Sequence, residues 1–466
     1  MNMGEDDKLP ICLIFPDGGP GKANALRKRL RRLSTRTPAT LLVLQCLTPP
    51  DYSVTVMDER TRDIDYNFRG LVAITSMTFN VNRAYEIADR FRAAGQKVVM
   101  GGIHVSFCRE EALRHCDSVV AGEAESVWAT VLEDYRNGRL KPIYEGERIL
   151  NFAQVLSDNL DRVEPRDLHM NIQTSRGCNF QCKFCSVHAY IGPARNLNDS
   201  TVMKLLSRIT FPYNRHVVFI DDNIYADPRH FKRLFRLVAR SNIRWHALCS
   251  LNIAKDDEAL SILKASGCKT LGIGLESTNK ATLREIGKPN DPGKYLDLIS
   301  KLHTTGIGIT GFFIVGADSD TKDSILETIA FCRKVNIAWP AFLIYTPLPG
   351  TEVFEKLRGE NRIATYDWSQ YDLGHVVFQP RNFSGNELKE MFDLCNRSLH
   401  GKKALLHFLF QSLAERRFQN IVPIIARFFT YSFSEKTPPH SAYSALISRA
   451  PPSHNNTVDS SRKVPT

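Results

Sequence analysis

The segment "TSRGCNFQCKFCSVHAYIG", residues 174–192, places three cysteines within eight positions: Cys178, Cys182 and Cys185. Soft thiolate ligands on one short loop suit an iron–sulfur cluster, and three of them leave one iron of a four-iron cubane open. A structural zinc site takes four ligands, usually as two close pairs, and no second cysteine pair follows at zinc-finger distance. His188 is the nearby residue that could complete such a site. The spacing therefore favours the three-cysteine cluster over zinc.

The chain has 466 residues, of which 43% are hydrophobic and 24% charged, as is typical of a globular protein of two or three domains. The N-terminus is acidic and has only a short apolar stretch, unlike a signal peptide, and no segment reads as a membrane span. We therefore expect a cytoplasmic protein. Its 11 cysteines are then reduced, and a tight cysteine cluster indicates metal or redox chemistry rather than disulfides.

The formal net charge is +11, and the densest basic run, "RKRLRRLSTR", covers residues 27–36. Leucines at helical spacing in and before this run predict an amphipathic helix with a solvated basic face. A docking surface for an acidic electron donor and a contact with an anionic substrate are the alternatives. The charge itself does not choose among these partners.

Residues 11–150 alternate short apolar runs with helical patterns, which predicts a doubly wound parallel sheet of Rossmann-like type. Ligands bind beyond the carboxyl ends of the strands in such sheets, and small residues there admit a large flat ligand. The predicted strands cover residues 11–15, 53–58, 70–77, 97–102 and 118–123, and a helix is predicted over 81–95. The candidate ligand contacts at the strand ends are Ser76, Met77, Thr78, Gly101, Gly102, Gly122 and Glu123.

A second series of strands and helices begins at residue 171 and predicts an open, partial (β/α)6 barrel. Functional residues of such barrels lie at the carboxyl ends of the strands. The predicted strands cover residues 171–176, 216–222, 244–250, 270–276, 308–316 and 341–350. The residues at their ends are Cys178, Asp221, Asp222, Asn223, Glu276 and Asp318. The predicted organisation is a ligand-binding domain (1–150), a linker (151–170), the barrel (171–380), a helical region (381–449) and a disordered tail (450–466).

"CNFQCKFC", with its C-x3-C-x-aromatic-C spacing, resembles the signature of the radical S-adenosylmethionine (SAM) superfamily. The resemblance implies that the three cysteines bind a 4Fe–4S cluster, whose open iron is chelated by SAM, and that SAM is cleaved to methionine and a 5′-deoxyadenosyl radical. It further implies that Phe184 lies against the adenine, that Asp222 and Asn223 hold the methionine end, and that Glu276 is near the ribose. The segment 311–321 resembles the adenine-contact segment. Asp and Glu at strand ends are also ordinary helix caps, which is the alternative for these acidic residues.

The sheet that precedes the cysteines is similar to the domain of radical SAM enzymes that bind cobalamin, and the likeness spans residues 10–380. It implies that Ser76 and the turn at Gly101 and Gly102 receive the nucleotide tail. The loop after the first strand, "PDGGPGKAN" (16–24), departs from the Asp-x-His-x-x-Gly pattern and has no histidine, which implies a corrin bound without a protein histidine. A sheet that has lost its ligand is the alternative. His104 is either a corrin or substrate contact or a hydrogen-bonded loop residue.

The implied activity is methylation of an unactivated carbon of a secondary metabolite or lipid through methylcobalamin. Cyclisation, oxidation or rearrangement without methyl transfer is the first alternative. A methylthiotransferase would need a second cluster, for which Cys12, Cys46 and either Cys108 or Cys116 are the candidates, although Cys12 lies in an apolar strand. A non-catalytic corrinoid carrier is the last alternative.

The resemblance also implies an external one-electron donor of the flavodoxin or ferredoxin type, a small-molecule or lipid-like substrate, and no nucleic-acid partner. Residues 402–433 are rich in Leu, Phe and Ile with interspersed Arg and Lys. Amphipathic helices of this composition can lie on a membrane surface. The alternative is that they cover the open side of the barrel.

Overall fold

The computed structural model describes residues 8–18, 38–149, 171–208 and 216–400, together with residues 406, 409, 410 and 413. The predictions for residues 27–36, for the linker (151–170) and for the tail (450–466) lie outside the described residues, as does most of 402–433. In the described ranges, no helix is both long enough and apolar enough to cross a bilayer.

The first part of the chain is a six-stranded sheet whose paired strands are all parallel. Its strands are β1 (Leu9–Phe15), β2 (Tyr52–Asp58), β3 (Leu71–Thr75), β4 (Val98–Gly101), β5 (Ser118–Gly122) and β6 (Ile143–Gly146). Its helices are α1 (Ala39–Leu47), α2 (Val81–Ala93), α3 (Ile103–Phe107), α4 (Arg109–Ala112) and α5 (Trp128–Arg136). The strand order is β2-β1-β3-β4-β5-β6, so the order reverses between β1 and β3. Doubly wound sheets bind ligands at this reversal.

The second part is an open six-stranded parallel sheet with helices between its strands, which confirms the predicted α/β fold class of a Rossmann-like sheet followed by a partial barrel. Its strands are β7 (Asn171–Ile172), β10 (His216–Phe219), β11 (Arg244–Cys249), β12 (Cys268–Glu276), β13 (Gly308–Val315) and β14 (Trp339–Ile344), and a separate antiparallel pair is formed by β8 (Ser175–Arg176) and β9 (Arg195–Asn196). The helices are α6 (Ser186–Tyr190), α7 (Asp199–Arg208), α8 (Pro228–Val238), α9 (Asp257–Ala265), α10 (Lys280–Glu285), α11 (Tyr295–Thr304), α12 (Lys322–Lys334), α13 (Glu352–Gly359) and α14 (Gly385–His400). The strand order is β14-β13-β12-β11-β10-β7.

The first sheet carries apolar residues on both faces, as is typical of a parallel sheet covered on both sides. In β1, Cys12 and Ile14 face one core cluster and Ile11 and Leu13 face another. The first of these clusters also contains Trp368, from the segment that follows the barrel strands. The two parts of the chain therefore share a core at this point.

Candidate active site

The three cysteines lie on the loop between β8 and β9, which we call the cysteine loop (residues 177–194). The loop is closed at its base, because the backbone N–H of Cys178 donates to the carbonyl of Gly192 over 3.1 Å. Gly177 has a φ of +87°, and a Cβ there would lie 2.4 Å from the Gly192 carbonyl oxygen, so the turn requires glycine. The cysteines are thus presented from a fixed turn that follows the first barrel strand.

Cys178 and Cys185 lie close enough to Cys182 to influence its ionisation. Burial raises the pKa of Cys182 to about 12, and the thiolates of Cys185 and Cys178 also raise it. Burial raises the pKa of Cys185 as well, although its sulfur accepts backbone N–H groups of His188 and Val187. Several buried thiolates are favourable together only with a cationic partner.

The three thiols of the cysteine loop are the candidate metal ligands. Across the described parts of the chain, no three His, Cys, Asp or Glu side chains converge as ligands of one metal ion, and His188 does not complete such a set with the cysteines. Three thiols on one short loop are the ligand set of a four-iron cluster, in which cysteines bind different irons and one iron stays open.

The Asp221-Asp222-Asn223 segment, which follows β10, forms hydrogen bonds to the start of the cysteine loop and to the residues before it. The buried Asp221 carboxylate accepts the N–H and O–H of Thr174 and the O–H of Ser175, and burial raises its pKa to about 6. Asp222 accepts the N–H of Gly177 over 2.8 Å. These contacts fix the chain where it leaves β7.

Asn223 directly contacts the first cysteine of the loop. Its side-chain Nδ2 lies 3.9 Å from Cys178 Sγ, and its Oδ1 accepts the N–H groups of Ser250 and Tyr225 over 3.0 and 3.3 Å. The amide is therefore held with its N–H group toward the sulfur. An N–H donor to a cluster sulfur is one of the levers that set a cluster's reduction potential.

Glu276, at the end of β12, forms a nearly buried ion pair with Lys288 over 3.0 Å. Glu276 has a φ of 65°, a strained value for a residue other than glycine, and such strain is often found at functional sites. Although burial lowers the pKa of Lys288, the Glu276 carboxylate and the nearby Cys182 raise it above its usual value. Lys288 also lies 5.6 Å from the ring centre of Phe180, so an ammonium group stands beside the cysteine loop.

Two further predicted residues lie on the barrel side. The Phe184 ring packs edge-on against Tyr345, with 6.5 Å between ring centres, at the rim of the barrel core. Asp318 accepts ion pairs from Arg362, Lys356 and Arg381. Although burial raises the pKa of Asp318, the hydrogen bonds from Arg362 and Lys356 outweigh it and hold the pKa at about 2. Asp318 is thus occupied by protein cations.

The carboxyl edge of the first sheet presents small residues and an unpaired hydroxyl. The Ser76 side chain is buried and, within the described structure, its Oγ has no hydrogen-bond partner. Gly102 has a φ of +102°, and a Cβ there would lie 2.3 Å from the Ser76 carbonyl oxygen. Thr78 lies beside them, and the Met77 side chain is 48% exposed. An orphan hydroxyl next to a Gly-Gly turn fits the polar tail of cobalamin.

Two family models match the chain: the radical SAM superfamily over residues 172–332, and the B12 binding domain over residues 51–132. The chain is 32% identical over 385 residues to a bacteriochlorophyllide d C-12(1)-methyltransferase from Chlorobaculum tepidum, covering 79% of this chain and 84% of that protein. The chain belongs to the cobalamin-dependent radical SAM methyltransferases. The cofactors of this methyltransferase are therefore a 4Fe–4S cluster, SAM and cobalamin.

A second relative and a solved structure are consistent with membership of this family. The methyltransferase is 31% identical over 411 residues to a bacteriochlorophyllide d C-8(2)-methyltransferase from the same organism, covering 82% of this chain and 89% of that protein. Among solved structures, its fold is similar to TsrM from Kitasatospora setae, a radical SAM methyltransferase, with a TM-score of 0.60 and 16% identity over 76% of this chain and 78% of that chain. The similarity to TsrM extends over both sheets.

The methyltransferase joins the carboxyl edge of its first sheet to the cysteine loop. The Tyr190 hydroxyl donates to the carbonyl of Gly122 over 2.7 Å. The Glu123 carboxylate pairs with Arg195 and lies 3.6 Å from an Arg176 nitrogen. Gly122 and Glu123 were predicted as cobalamin contacts; that role stays a prediction, while the contacts present link the two sheets.

His104 is a buried residue of the domain contact in the methyltransferase. Its Nδ1 lies 3.3 Å from Thr78 Oγ1, and its Nε2 lies 3.6 Å from Glu111 Oε1. Its ring also contacts Trp368, with 4.8 Å between ring centres, and the Trp368 indole N–H donates to Glu111 over 2.9 Å. These contacts favour the hydrogen-bonded residue over the corrin contact, although His104 lies on the short helix α3 and not on a loop.

Of the cysteines considered for a second cluster, Cys12, Cys46 and Cys116 are buried and Cys108 is partly buried. Burial raises the pKa values of Cys12, Cys108 and Cys116 to about 12, and Cys12 and Cys116 belong to the apolar core of the first sheet. Cys46 is buried on α1. Free cysteine is often a small core residue of this kind. The burial of Cys12, Cys46 and Cys116 in the first part of the chain therefore favours core residues over ligands of a second cluster.

Proposed function

We propose that this chain methylates an unactivated carbon of a tetrapyrrole of the bacteriochlorophyllide type. The observation that carries the proposal is that two relatives at 32% and 31% identity, each covered over more than four fifths of its length, are both bacteriochlorophyllide d methyltransferases. Hopanoid methylases are also similar, but at 23% and 24% identity. A lipid substrate is therefore the weaker candidate.

We propose that Cys178, Cys182 and Cys185 bind the cluster. When bound, the cluster supplies the electron that cleaves SAM, SAM supplies the 5′-deoxyadenosyl radical, and cobalamin carries the methyl group. The contribution of the chain is geometric: Asp221 and Asp222 fix the start of the cysteine loop, and Asn223 directs its N–H toward Cys178. Such pre-organisation places reacting groups where small displacements matter.

For SAM, we propose the predicted contacts Phe184, Asp222, Asn223 and Glu276, and we add Lys288. Support for Lys288 comes from its burial beside the cysteine loop and from its raised pKa, which keeps the ammonium group charged. A fixed ammonium and carboxylate pair can orient the charged amino-acid end or the ribose hydroxyls of the nucleoside.

For cobalamin, we propose the predicted edge of the first sheet, from which Ser76 and the Gly101-Gly102 turn would hold the nucleotide tail. The orphan Ser76 hydroxyl and the space that Gly102 leaves support this assignment. Met77 and Thr78 would lie near the corrin, and Gly122 and Glu123 would contact it through their backbone from the adjoining strand end, because the Glu123 carboxylate is bonded to Arg195. The exposure of Met77 supports its availability to a flat, apolar ligand.

We propose that the electron comes from a flavodoxin or ferredoxin, an acidic class of protein that the formal net charge of +11 suits. The 11 free thiols support a reducing, cytoplasmic location. We do not propose a nucleic-acid partner. A peripheral membrane contact near residues 402–433 is supported by the exposed side chains of Leu406, Phe410 and Leu413.

Anaerobically reconstituted protein, given cobalamin, SAM and a reductant, is to be incubated with bacteriochlorophyllide d and, separately, with a hopanoid. Mass spectrometry should find one added methyl group on the tetrapyrrole together with 5′-deoxyadenosine. The variant Cys178→Ala, which lacks a cluster thiol, is the negative control. Methylation of the hopanoid alone, or a tetrapyrrole that loses hydrogen without gaining carbon, would contradict the proposal.

A further inference from the structure

The base of the cysteine loop brings two arginines together. Strands β8 and β9 pair antiparallel, and in their register Arg176 lies opposite Arg195. Like charges directly opposite each other in an antiparallel pair are destabilising. Something outside the pair must therefore neutralise them.

The neutralising carboxylates come from the other sheet. Both Nη atoms of Arg195 bond to the Glu123 carboxylate, and Arg176 bonds to Glu125 over 2.6 Å and approaches Glu123 at 3.6 Å. The four side chains are only 8–11% exposed. Removing one member of a buried pair leaves an uncompensated charge, so these contacts differ from ordinary surface ion pairs.

Glu123 also fixes the end of its own domain. One of its carboxylate oxygens accepts the N–H of Ile149 over 3.0 Å, and the Ile149 carbonyl accepts a bond from Arg195 over 2.8 Å. Although burial raises the pKa of Glu123, the bonds from Arg195 and Ile149 lower it below its usual value. The carboxylate is therefore ionised and has several partners.

A second connection runs from the turn at Gly102 to the cysteine loop. Ser106 donates its hydroxyl to the Gly102 carbonyl over 2.9 Å and accepts the N–H of Gly122 over 3.0 Å, while the Gly122 carbonyl accepts the Tyr190 hydroxyl. Burial raises the pKa of Tyr190 to about 12, so its hydroxyl remains a donor. The same strand end thus contacts the cysteine loop through Gly122 and the two strands at the base of the loop through Glu123.

We propose that Glu123 is a positioning residue, which through Arg195 and Arg176 fixes the cysteine loop on the edge of the first sheet and so sets the distance between the cluster and the cobalt. This inference rests on the proposed assignment of the cluster to the three cysteines and of cobalamin to that edge. The rest of the domain contact does not depend on Glu123, because Trp368 bonds to Glu111 and Asp367 bonds to Asn82. Loss of Glu123 should therefore release the loop while the domains stay joined.

The test compares wild-type protein with Glu123→Gln, which removes the charge and keeps the size. Pulsed electron paramagnetic resonance, without substrate, is to measure the distance distribution between the reduced cluster and cob(II)alamin. We expect both cofactors to bind and the distribution to broaden at least about two-fold in the variant. Because a displacement of about 1 Å can cost about 100-fold in rate, we also expect 5′-deoxyadenosine formed per methyl transferred to rise by about 10- to 100-fold.

The matched control is Glu145→Gln, which breaks the exposed Arg109–Glu145 pair within the first domain and should leave the distribution unchanged. Glu123→Asp keeps the charge on a shorter arm and should broaden the distribution less than Glu123→Gln. If Glu123→Gln does not fold, Tyr190→Phe is the second test variant. It removes the hydroxyl that bonds to Gly122 and should also broaden the distribution. Bound cofactors with an unchanged distribution would overturn this inference alone, whereas wild-type protein that binds neither iron nor cobalamin would contradict the proposed function and this inference with it.

Discussion

Asn223 is held with its amide N–H 3.9 Å from Cys178 Sγ, and that contact predicts an electronic effect. A hydrogen bond to a cluster sulfur stabilises the more negative, reduced state, so its loss should lower the reduction potential. A bond of about 1 kcal/mol corresponds to about 40 mV for one electron, since about 59 mV is a tenfold change. We expect Asn223→Ala to lower the midpoint potential by about this amount in a redox titration followed by electron paramagnetic resonance. Asn67→Ala, at an exposed asparagine of the first part of the chain, should leave the midpoint potential unchanged. An unchanged potential in Asn223→Ala would refute the contact.

Gly274 is the residue on which the Glu276–Lys288 pair depends. A Cβ at this position would lie 2.3 Å from Glu276 Oε1 and 2.9 Å from Lys288 Nζ. We expect Gly274→Ala to displace the pair, to lower the free energy of unfolding by about 1–3 kcal/mol, and to weaken SAM binding in equilibrium dialysis. Gly359→Ala, where a Cβ meets nothing within 4 Å, is the control. SAM affinity equal to that of the control would show that the pair is not part of the SAM site.

The sequence predicted the residues that lie at strand ends better than it predicted their partners. Cys178 was predicted from the spacing of the three cysteines. Asn223 and Glu276 were predicted because a strand end is recognisable from an apolar run followed by polar residues. Lys288 was missed, since it follows α10 on a loop and only the fold brings it beside Cys182. A lysine in a loop carries no periodic signal, whereas its burial in the structure is informative.

At the scale of elements, Asp221 stabilises the interruption between strands β7 and β8 by bonding to Thr174 and Ser175. Its ionisation should make the free energy of unfolding depend on pH. Burial raises its pKa from 3.8 to about 6, so the folded chain binds a proton that the unfolded chain releases. The contribution of this group is therefore present below about pH 4 and is lost as the pH rises through about 6. Between pH 4 and pH 7, the free energy of unfolding of Asp221→Asn should therefore rise by up to about 3 kcal/mol relative to that of wild type, at about 1.4 kcal/mol per pKa unit. Urea unfolding at both pH values measures this difference, and Asp297→Asn, at an exposed aspartate, is the control. A free energy of unfolding that falls relative to wild type as the pH rises would contradict the predicted pKa direction.

The same break shows where sequence patterns stop being informative about elements. Residues 171–176 read as one strand, but the chain leaves the sheet after Ile172 so that Ser175 and Arg176 can pair with Arg195 and Asn196. The cause is a tertiary contact, because the Asp221 carboxylate accepts hydrogen bonds from the N–H and hydroxyl groups of Thr174 and from the hydroxyl of Ser175. Strand β6 was missed for a different reason, since its Ile143 and Glu145 are exposed at a sheet edge and give no apolar run.

At the scale of the whole molecule, the segment after the barrel strands joins the two sheets through Trp368. The indole packs in the core of the first sheet and donates to Glu111. We expect Trp368→Ala to lower the free energy of unfolding by about 3–5 kcal/mol, the range for large buried aromatic residues, and to reduce cobalamin retention during gel filtration. Tyr366→Ala removes a 54% exposed ring from the same segment and should change neither quantity. Full retention of cobalamin by the destabilised Trp368 variant would show that the shared core does not support the corrin site.

The described residues after α14 predict a contact with a membrane surface. Leu409 packs against the barrel core, while Leu406, Phe410 and Leu413 are 55%, 68% and 45% exposed. Exposed apolar residues at helical spacing, in a stretch that also contains Lys and Arg, are typical of contact with an anionic membrane surface. Co-sedimentation with vesicles of anionic phospholipid should therefore fall at least about tenfold when these three residues are changed together to serine, since each buried apolar side chain contributes about 1.5–3 kcal/mol. The paired change Leu296→Ser and Leu326→Ser, at exposed leucines of the barrel, should leave binding intact, and vesicle binding that survives the triple change would place any membrane contact elsewhere on the molecule.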